Sequence, residues 1–163
     1  MTTHFATDMA YEAALPRVWA MLGDPGYLAA KVASADSGDF DLDEADDLRT
    51  VRIARVMSVD LPPTARALLG SSISLTETHR WGAAEPDGSR SAALEVAIDG
   101  APITVTGSLH IAPTTSGSRV RVTADITVRV PLFSGMAEGL IRDELAKAIA
   151  DETALGRQWL TRS

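Results

Sequence analysis

The 163-residue chain contains no cysteine, which excludes disulfides, thiolate catalysis and any zinc or iron-sulfur site held by cysteine, and leaves the compartment undetermined. It has no apolar run near the ~20 residues of a membrane span, and no basic start followed by an apolar stretch at its beginning. The expectation is a cytoplasmic protein without stable membrane insertion. Positive charge is also short: 15 Lys and Arg face 22 Asp and Glu, for a net charge of -7. With the arginines scattered along the chain, this argues against a nucleic-acid partner, because phosphate affinity needs a basic surface. Histidine occurs only at His4, His79 and His110, isolated from one another, so no histidine metal site is expected. A nucleophile elbow, a phosphate-cradling glycine loop and a metalloprotease helix are all missing, and Gly70-Ser71-Ser72 matches none of them. No cofactor is implied. With no linker, repeat or low-complexity segment, residues 1–163 read as one domain, which buries roughly 70% of the surface of its unfolded chain.

What the chain does have is a long amphipathic segment at its end. From Phe133 to Arg162, residues Met136, Leu140, Ile141, Leu145, Ala148, Ile149, Leu155 and Trp159 fall into one broad stripe at ~3.6 residues per turn. Pro131 breaks the chain before it, Ser134 is placed to cap it, and Arg157 and Arg162 suit the negative end of its dipole. Glu138 with Arg142 and Asp143 with Lys147 have the spacing of outer-face pairs. Such a stripe needs a sheet to lie on.

The preceding chain supplies one. His4 to Tyr11 alternates as a half-buried strand. Pro16 opens a short helix to Leu22, Gly23-Asp24-Pro25-Gly26 breaks it, and Tyr27 to Ala33 forms a second, with Leu28 and Val32 on one face. Seven carboxylates lie between Asp36 and Asp47. Asp39, Asp41 and Asp43 alternate with Phe40 and Leu42, the pattern of an acidic edge strand; the glycine and closing glutamate of a calcium loop are missing. Leu48 to Val59 is a strand, stopped by Leu61-Pro62-Pro63 and followed by a helical turn or two to Leu69. Four more strands follow, Ile73 to Trp81, Ala92 to Ile98, Ile103 to Ile111 and Val120 to Val130, with turns at Asp87-Gly88, Asp99-Gly100 and Thr115 to Gly117. The last strand has the cleanest alternation, Val120, Val122, Ala124, Ile126, Val128 and Val130 against polar neighbours.

This order of elements, the run Tyr11-Glu12-Ala13-Ala14-Leu15-Pro16-Arg17-Val18-Trp19 with Gly23-Asp24-Pro25, the Leu61-Pro62 segment and Trp81 resemble the START/polyketide-cyclase-like (SRPBCC) superfamily over essentially the whole chain. That superfamily includes the START lipid-transfer domains, the birch-pollen allergens and the polyketide cyclases. Within it the chain is similar to an uncharacterised branch, a domain of unknown function. The resemblance implies an α+β helix-grip fold, a curved seven-stranded antiparallel sheet around a long C-terminal helix, with two short helices between strands 1 and 2. It also implies a hydrophobic cavity for lipids, sterols, polyketides or plant-hormone-like molecules. It carries over no catalytic residue.

Three ionisable residues, Arg55, Glu77 and His79, share a face with apolar neighbours on strands expected to line that cavity. Buried charges must be paired, so if they point inward they form either a structural salt bridge at the cavity rim or a polar ligand contact; a bulge that shifts the register would turn them to water instead. Glu152, inside the helix's apolar stripe, is expected to bond the two small helices. The first functional reading is a binding protein for one hydrophobic or amphipathic small molecule, lined by Phe5, Thr7, Met9, Ile53, Met57, Leu75, Ile98, Leu109, Ile126, Met136, Leu140 and Ile141 beside those three. A cyclase- or hydratase-type enzyme using Arg55, Glu77 and His79, and a ligand-free protein-interaction module, remain alternatives. Leu61, Pro62, Pro63, Leu68 and Leu69 read either as a lid that transiently touches a membrane or as a core plug.

Overall fold

The computed structural model describes residues 2–130 and 134–162. In order they form β1 (Thr2–Tyr11), α1 (Leu15–Leu22), α2 (Pro25–Ala33), β2 (Ser37–Ala45), β3 (Leu48–Ser58), α3 (Pro63–Leu69), β4 (Ser72–Trp81), β5 (Arg90–Ile98), β6 (Ile103–Thr114), β7 (Gly117–Val128) and α4 (Ser134–Leu160). The seven strands make one curved antiparallel sheet in the order β1-β7-β6-β5-β4-β3-β2, the architecture expected from the sequence. The break at Pro131, the start at Phe133 and the side chains of Ser134 and Leu68 lie outside the described residues.

Alternation decides which face is inside. On β7, Val120, Val122, Ala124, Ile126 and Val128 are buried, while Arg119, Arg121 and Asp125 between them are exposed. Opposite them Met9 pairs with Val120 and Phe5 with Ala124, so both strands turn one greasy face to the helix. The acidic strand β2 is one of the two edges of the sheet, opposite β1, with Asp39, Asp41 and Asp43 exposed and Phe40 and Leu42 half-buried. Charges on an edge deter pairing with another chain. Gly107 permits the close approach of β6 to β7: a Cβ there would lie 1.9 Å from the Thr123 carbonyl oxygen.

Asp24 caps α2, accepting from the backbone N–H groups of Gly26 at 2.7 Å and Tyr27 at 3.3 Å, with Pro25 in the position where a missing N–H costs nothing. Trp19 on α1 meets Trp81 edge-on at 5.3 Å and carries the Arg49 guanidinium 3.6 Å above its ring. Arg49 also donates to the Trp19 carbonyl at 2.7 Å, which fastens α1 to the sheet.

α4 packs chiefly on β1, β7, α1 and α2. Its rotation differs from the sequence expectation at two residues. Glu138 is fully buried and accepts from Thr3 Oγ1 at 2.8 Å and from the Val128 N–H at 3.0 Å. It does not pair outward with Arg142, whose guanidinium lies 3.3 Å from Asp143 instead. Val128 lies just past Thr2↔Thr127, the last pair of the β1–β7 ladder, and a buried N–H needs an acceptor more than the surface needs an ion pair. Facing Glu138 inward turns Met136, two residues or about 200° away, to solvent, where it is 48% exposed. Replacing Glu138 by Leu strands both donors and is expected to lower the unfolding free energy by about 2–3 kcal/mol in urea titrations. Glu138→Gln, which keeps an acceptor oxygen, should cost less, and equal costs would show that burial alone fixes α4.

Candidate functional site

Because α4 lies toward the β1–β7 side, the concave surface of β3 to β6 is left partly uncovered, and a cavity of two adjoining chambers occupies the space. The inner chamber, ≈ 80 Å³, sits beneath α2 and the second half of α4. The outer chamber, ≈ 240 Å³, lies between the first half of α4 and the α3 segment. Arg55, Glu77, Val96, Leu145 and Ala148 line both. Together the chambers reach the lower end of the ~300–1,000 Å³ typical of small-ligand sites.

Their shared wall is ionic. The Arg55 guanidinium donates to Glu77 Oε2 at 2.8 Å, and Glu77 Oε1 meets His79 Nε2 at 2.5 Å and Lys31 Nζ at 3.3 Å. Lys31 Nζ also reaches Glu152 Oε1 at 2.6 Å. The side chains of Arg55, Glu77 and His79 are 12–13% exposed, and that of Lys31 5%. Burial alone would raise the Glu77 carboxyl, but Lys31, His79 and Arg55 outweigh it and hold the group well below the usual carboxylate range. For Lys31 burial pulls the other way, and Glu152 and Glu77 prevail, raising it above an ordinary lysine. Two cations, Lys31 and Arg55, therefore face two anions, Glu77 and Glu152, with His79 bonded to one of them.

Three buried polar atoms of residues around the inner chamber lack a hydrogen-bond partner among the described residues: Tyr27 Oη, Arg55 Nε and Trp81 Nε1. All three residues line the inner chamber. Burial first, then Glu152, push the Tyr27 hydroxyl far above its ordinary range, so it stays an O–H group. Arg Nε and Trp Nε1 are donors only. Buried groups of this kind normally find partners, and each exception calls for an explanation.

Of the residues singled out in the sequence, Met9, Ile53, Leu109 and His79 line the inner chamber and Met57, Leu75, Ile98, Leu140 and Ile141 the outer, with Arg55 and Glu77 between. Phe5, Thr7, Ile126 and Met136 lie elsewhere. Phe5 packs against both core clusters, Ile126 is fully buried in the smaller one, and Met136 faces solvent. Thr7, on β1 opposite Val122, is half-buried outside the lining. Phe5 and Ile126 belong to the cluster built around Ala137 of α4, which fills that end of the sheet, whereas Met9 of β1 and Val120 and Val122 of β7, farther along, still line the inner chamber. Glu152 does bond a small helix, through Lys31, a residue the sequence reading missed. Its signal was present, because Tyr27 and Lys31 are four apart and adjoin the Leu28 and Val32 stripe of α2. In the α3 segment Leu61 and Ala65 are buried and Leu69 lines the outer chamber. No helix among the described residues is long and apolar enough to cross a membrane.

The chain is 26% identical to an uncharacterized protein of Mycobacterium tuberculosis (strain ATCC 25618 / H37Rv), over 99% of its own length and 98% of that protein's. Among solved structures, norcoclaurine synthase from Thalictrum flavum, in complex with dopamine and hydroxybenzaldehyde, superposes with a TM-score of 0.58 at 14% identity, over 100% of this chain and 89% of that one. An aromatase/cyclase from Streptomyces sp. R1128 gives a TM-score of 0.55, also at 14% identity, over 97% and 90%. At these identities the structural likeness establishes the helix-grip fold and nothing about chemistry. Residues 7–160 match the family described as "Protein of unknown function (DUF2505)", and the chain belongs to that family.

Proposed function

We propose that the protein binds one amphipathic small molecule, its polar end in the inner chamber and its apolar end in the outer. The carrying observation is the set of three partnerless donors on the inner wall, Tyr27, Arg55 and Trp81, beside an outer chamber lined by Met57, Leu75, Ile98, Leu140 and Ile141. A pocket built only as leftover space would be apolar throughout, whereas a ligand site combines apolar walls with a few convergent polar groups. Norcoclaurine synthase and the aromatase/cyclase, which share the fold, fit this reading. The α3 segment flanks the outer chamber through Leu61 and Leu69, so access there is the natural route for a ligand, with transient membrane contact during exchange of a lipid.

A solvatochromic hydrophobic dye is expected to bind saturably at one site per chain. Leu140→Trp, which fills the outer chamber, should weaken that binding at least several-fold while the circular dichroism spectrum stays native. Stoichiometric binding indifferent to this substitution would locate the dye elsewhere and sink the proposal. Native mass spectrometry of protein purified from its own source offers an independent check, through a co-purifying small molecule.

A second reading, acid-base catalysis of the cyclase or hydratase kind, is favoured by one observation: His79 Nε2 is bonded to Glu77 Oε1 at the cavity wall. In such a pair the carboxylate orients the imidazole, and the imidazole exchanges the proton. Glu77 itself is a poor base, since three partners hold its charged form. A carboxylate depressed in the folded state contributes stability that is fully present above its ordinary value of 4.5 and is lost as pH falls through the folded value. Glu77→Gln is thus expected to destabilise by about 3–5 kcal/mol near neutral pH, because it leaves Arg55 and Lys31 undercompensated. The deficit should shrink only below about pH 4.5. In the same variant the NMR titration of His79 should move; a titration identical to the wild type would dismiss the catalytic pair and leave the binding reading standing.

A further inference from the structure

Resting on the binding reading above, we propose that the polar end of the ligand is an uncharged oxygen acceptor of the carbonyl type, and neither a carboxylate nor an amine. Two independent observations converge on this chemistry. First, the buried side-chain atoms without partners among the described residues are a hydroxyl and two N–H groups, Tyr27 Oη, Arg55 Nε and Trp81 Nε1, and all three residues line the inner chamber. The wall thus offers donors and calls for an acceptor. An ammonium or an N–H-rich head finds Glu77 already engaged on both oxygens, by Arg55, His79 and Lys31, and Glu152 engaged by Lys31. Second, the charges are already paired. On the inner wall Lys31 and Arg55 are already held by Glu77 and Glu152, and His79 by Glu77, so a carboxylate head buried there would meet only cations that are already paired, and an ammonium only anions that are already paired.

A neutral carbonyl oxygen satisfies both constraints. Its two lone pairs accept from two of the waiting donors without disturbing the ionic wall. The inner chamber, ≈ 80 Å³, holds a small head of this kind, and the ≈ 240 Å³ outer chamber takes an attached aliphatic or aromatic body. Selection between heads then follows from the rule that a site built to hydrogen-bond one group rejects the analogue that leaves its buried donors unpaired or strands a charge.

The test is displacement of the hydrophobic dye from the intact protein near neutral pH by three probes with tails of similar length: methyl octyl ketone, decanoate and decylamine. The ketone is expected to bind about tenfold or more tightly than either charged probe, the lower bound set by one unpaired buried charge. Tyr27→Phe, which removes one donor and keeps the ring, should weaken the ketone by roughly 3- to 10-fold. It should leave the melting temperature of the free protein at or above that of the wild type, because a buried orphan hydroxyl has been removed. Decanoate or decylamine binding as tightly as the ketone, or equal displacement by all three, would overturn the assignment of the head while the cavity reading stands. Failure of the dye itself to bind would overturn both. The probe series on the wild-type chain decides the matter even if Tyr27→Phe does not fold.

Discussion

Seven strands spaced ~4.8 Å apart span roughly 29 Å across a flattened sheet, whereas one helix with its side chains is only ~10–12 Å wide. Curvature narrows that gap without closing it. In this protein the mismatch is resolved unevenly: α4 settles on β1 and β7, and α1 and α2 close one end. The space over β3 to β6 is left as the cavity. The cavity follows from that offset, and with it which apolar residues became core and which became wall. Phe5 and Ile126 are compressed into packing beside Ala137 of α4, whereas Met57, Leu75 and Ile98 on the uncovered strands look into space.

The ionic wall is a poor device for stability. Burying two cations and two anions costs several kcal/mol per ion before pairing, and a well-packed apolar cluster of similar volume is often as stable or more so. What the wall does is geometric. Glu77 is gripped from α2 by Lys31, from β3 by Arg55 and from its own strand by His79, and Lys31 reaches on to Glu152 of α4. Four elements are thereby fixed around the inner chamber. Arg55 is part of that wall, and Tyr27 and Trp81 stand on α2 and β4, two of the elements it ties; on the proposed reading this keeps the donors in place, the condition under which a few hydrogen bonds discriminate between ligands.

Much of this was legible in the sequence. The period-two pattern of β7 and the long stripe of α4 were unambiguous because local alternation and tertiary burial agree there. The shared face of Arg55, Glu77 and His79 was readable for the same reason: strand periodicity fixes which side chains are neighbours, even when it leaves their partners open. Lys31 was not read, since a lysine beside an apolar stripe ordinarily runs its stem along the surface and its charge into water. Only partners distant in the chain, Glu77 and Glu152, make burying it tolerable. Glu138 was misread through a sound local rule. Its spacing to Arg142 favours an outer pair worth a few tenths of a kcal/mol, but Thr3, 135 residues away, and the Val128 N–H at the end of the β1–β7 ladder needed an acceptor. That demand exists only in three dimensions, and Met136 followed Glu138 round the helix.

On the proposed binding reading, the two chambers divide the energetics between them. Apolar surface covered in the outer chamber contributes about 25 cal/mol per Å² to any greasy tail, whatever its chemical origin, so it supplies affinity with little choice. The inner chamber works the other way. In the free protein its three donors carry a desolvation cost that is already present before a ligand arrives. An acceptor that meets them recovers that cost, and a head that does not leaves it standing and adds its own. On that reading discrimination comes from what the wrong head fails to relieve, and it rests on three side chains around one chamber, Tyr27, Arg55 and Trp81.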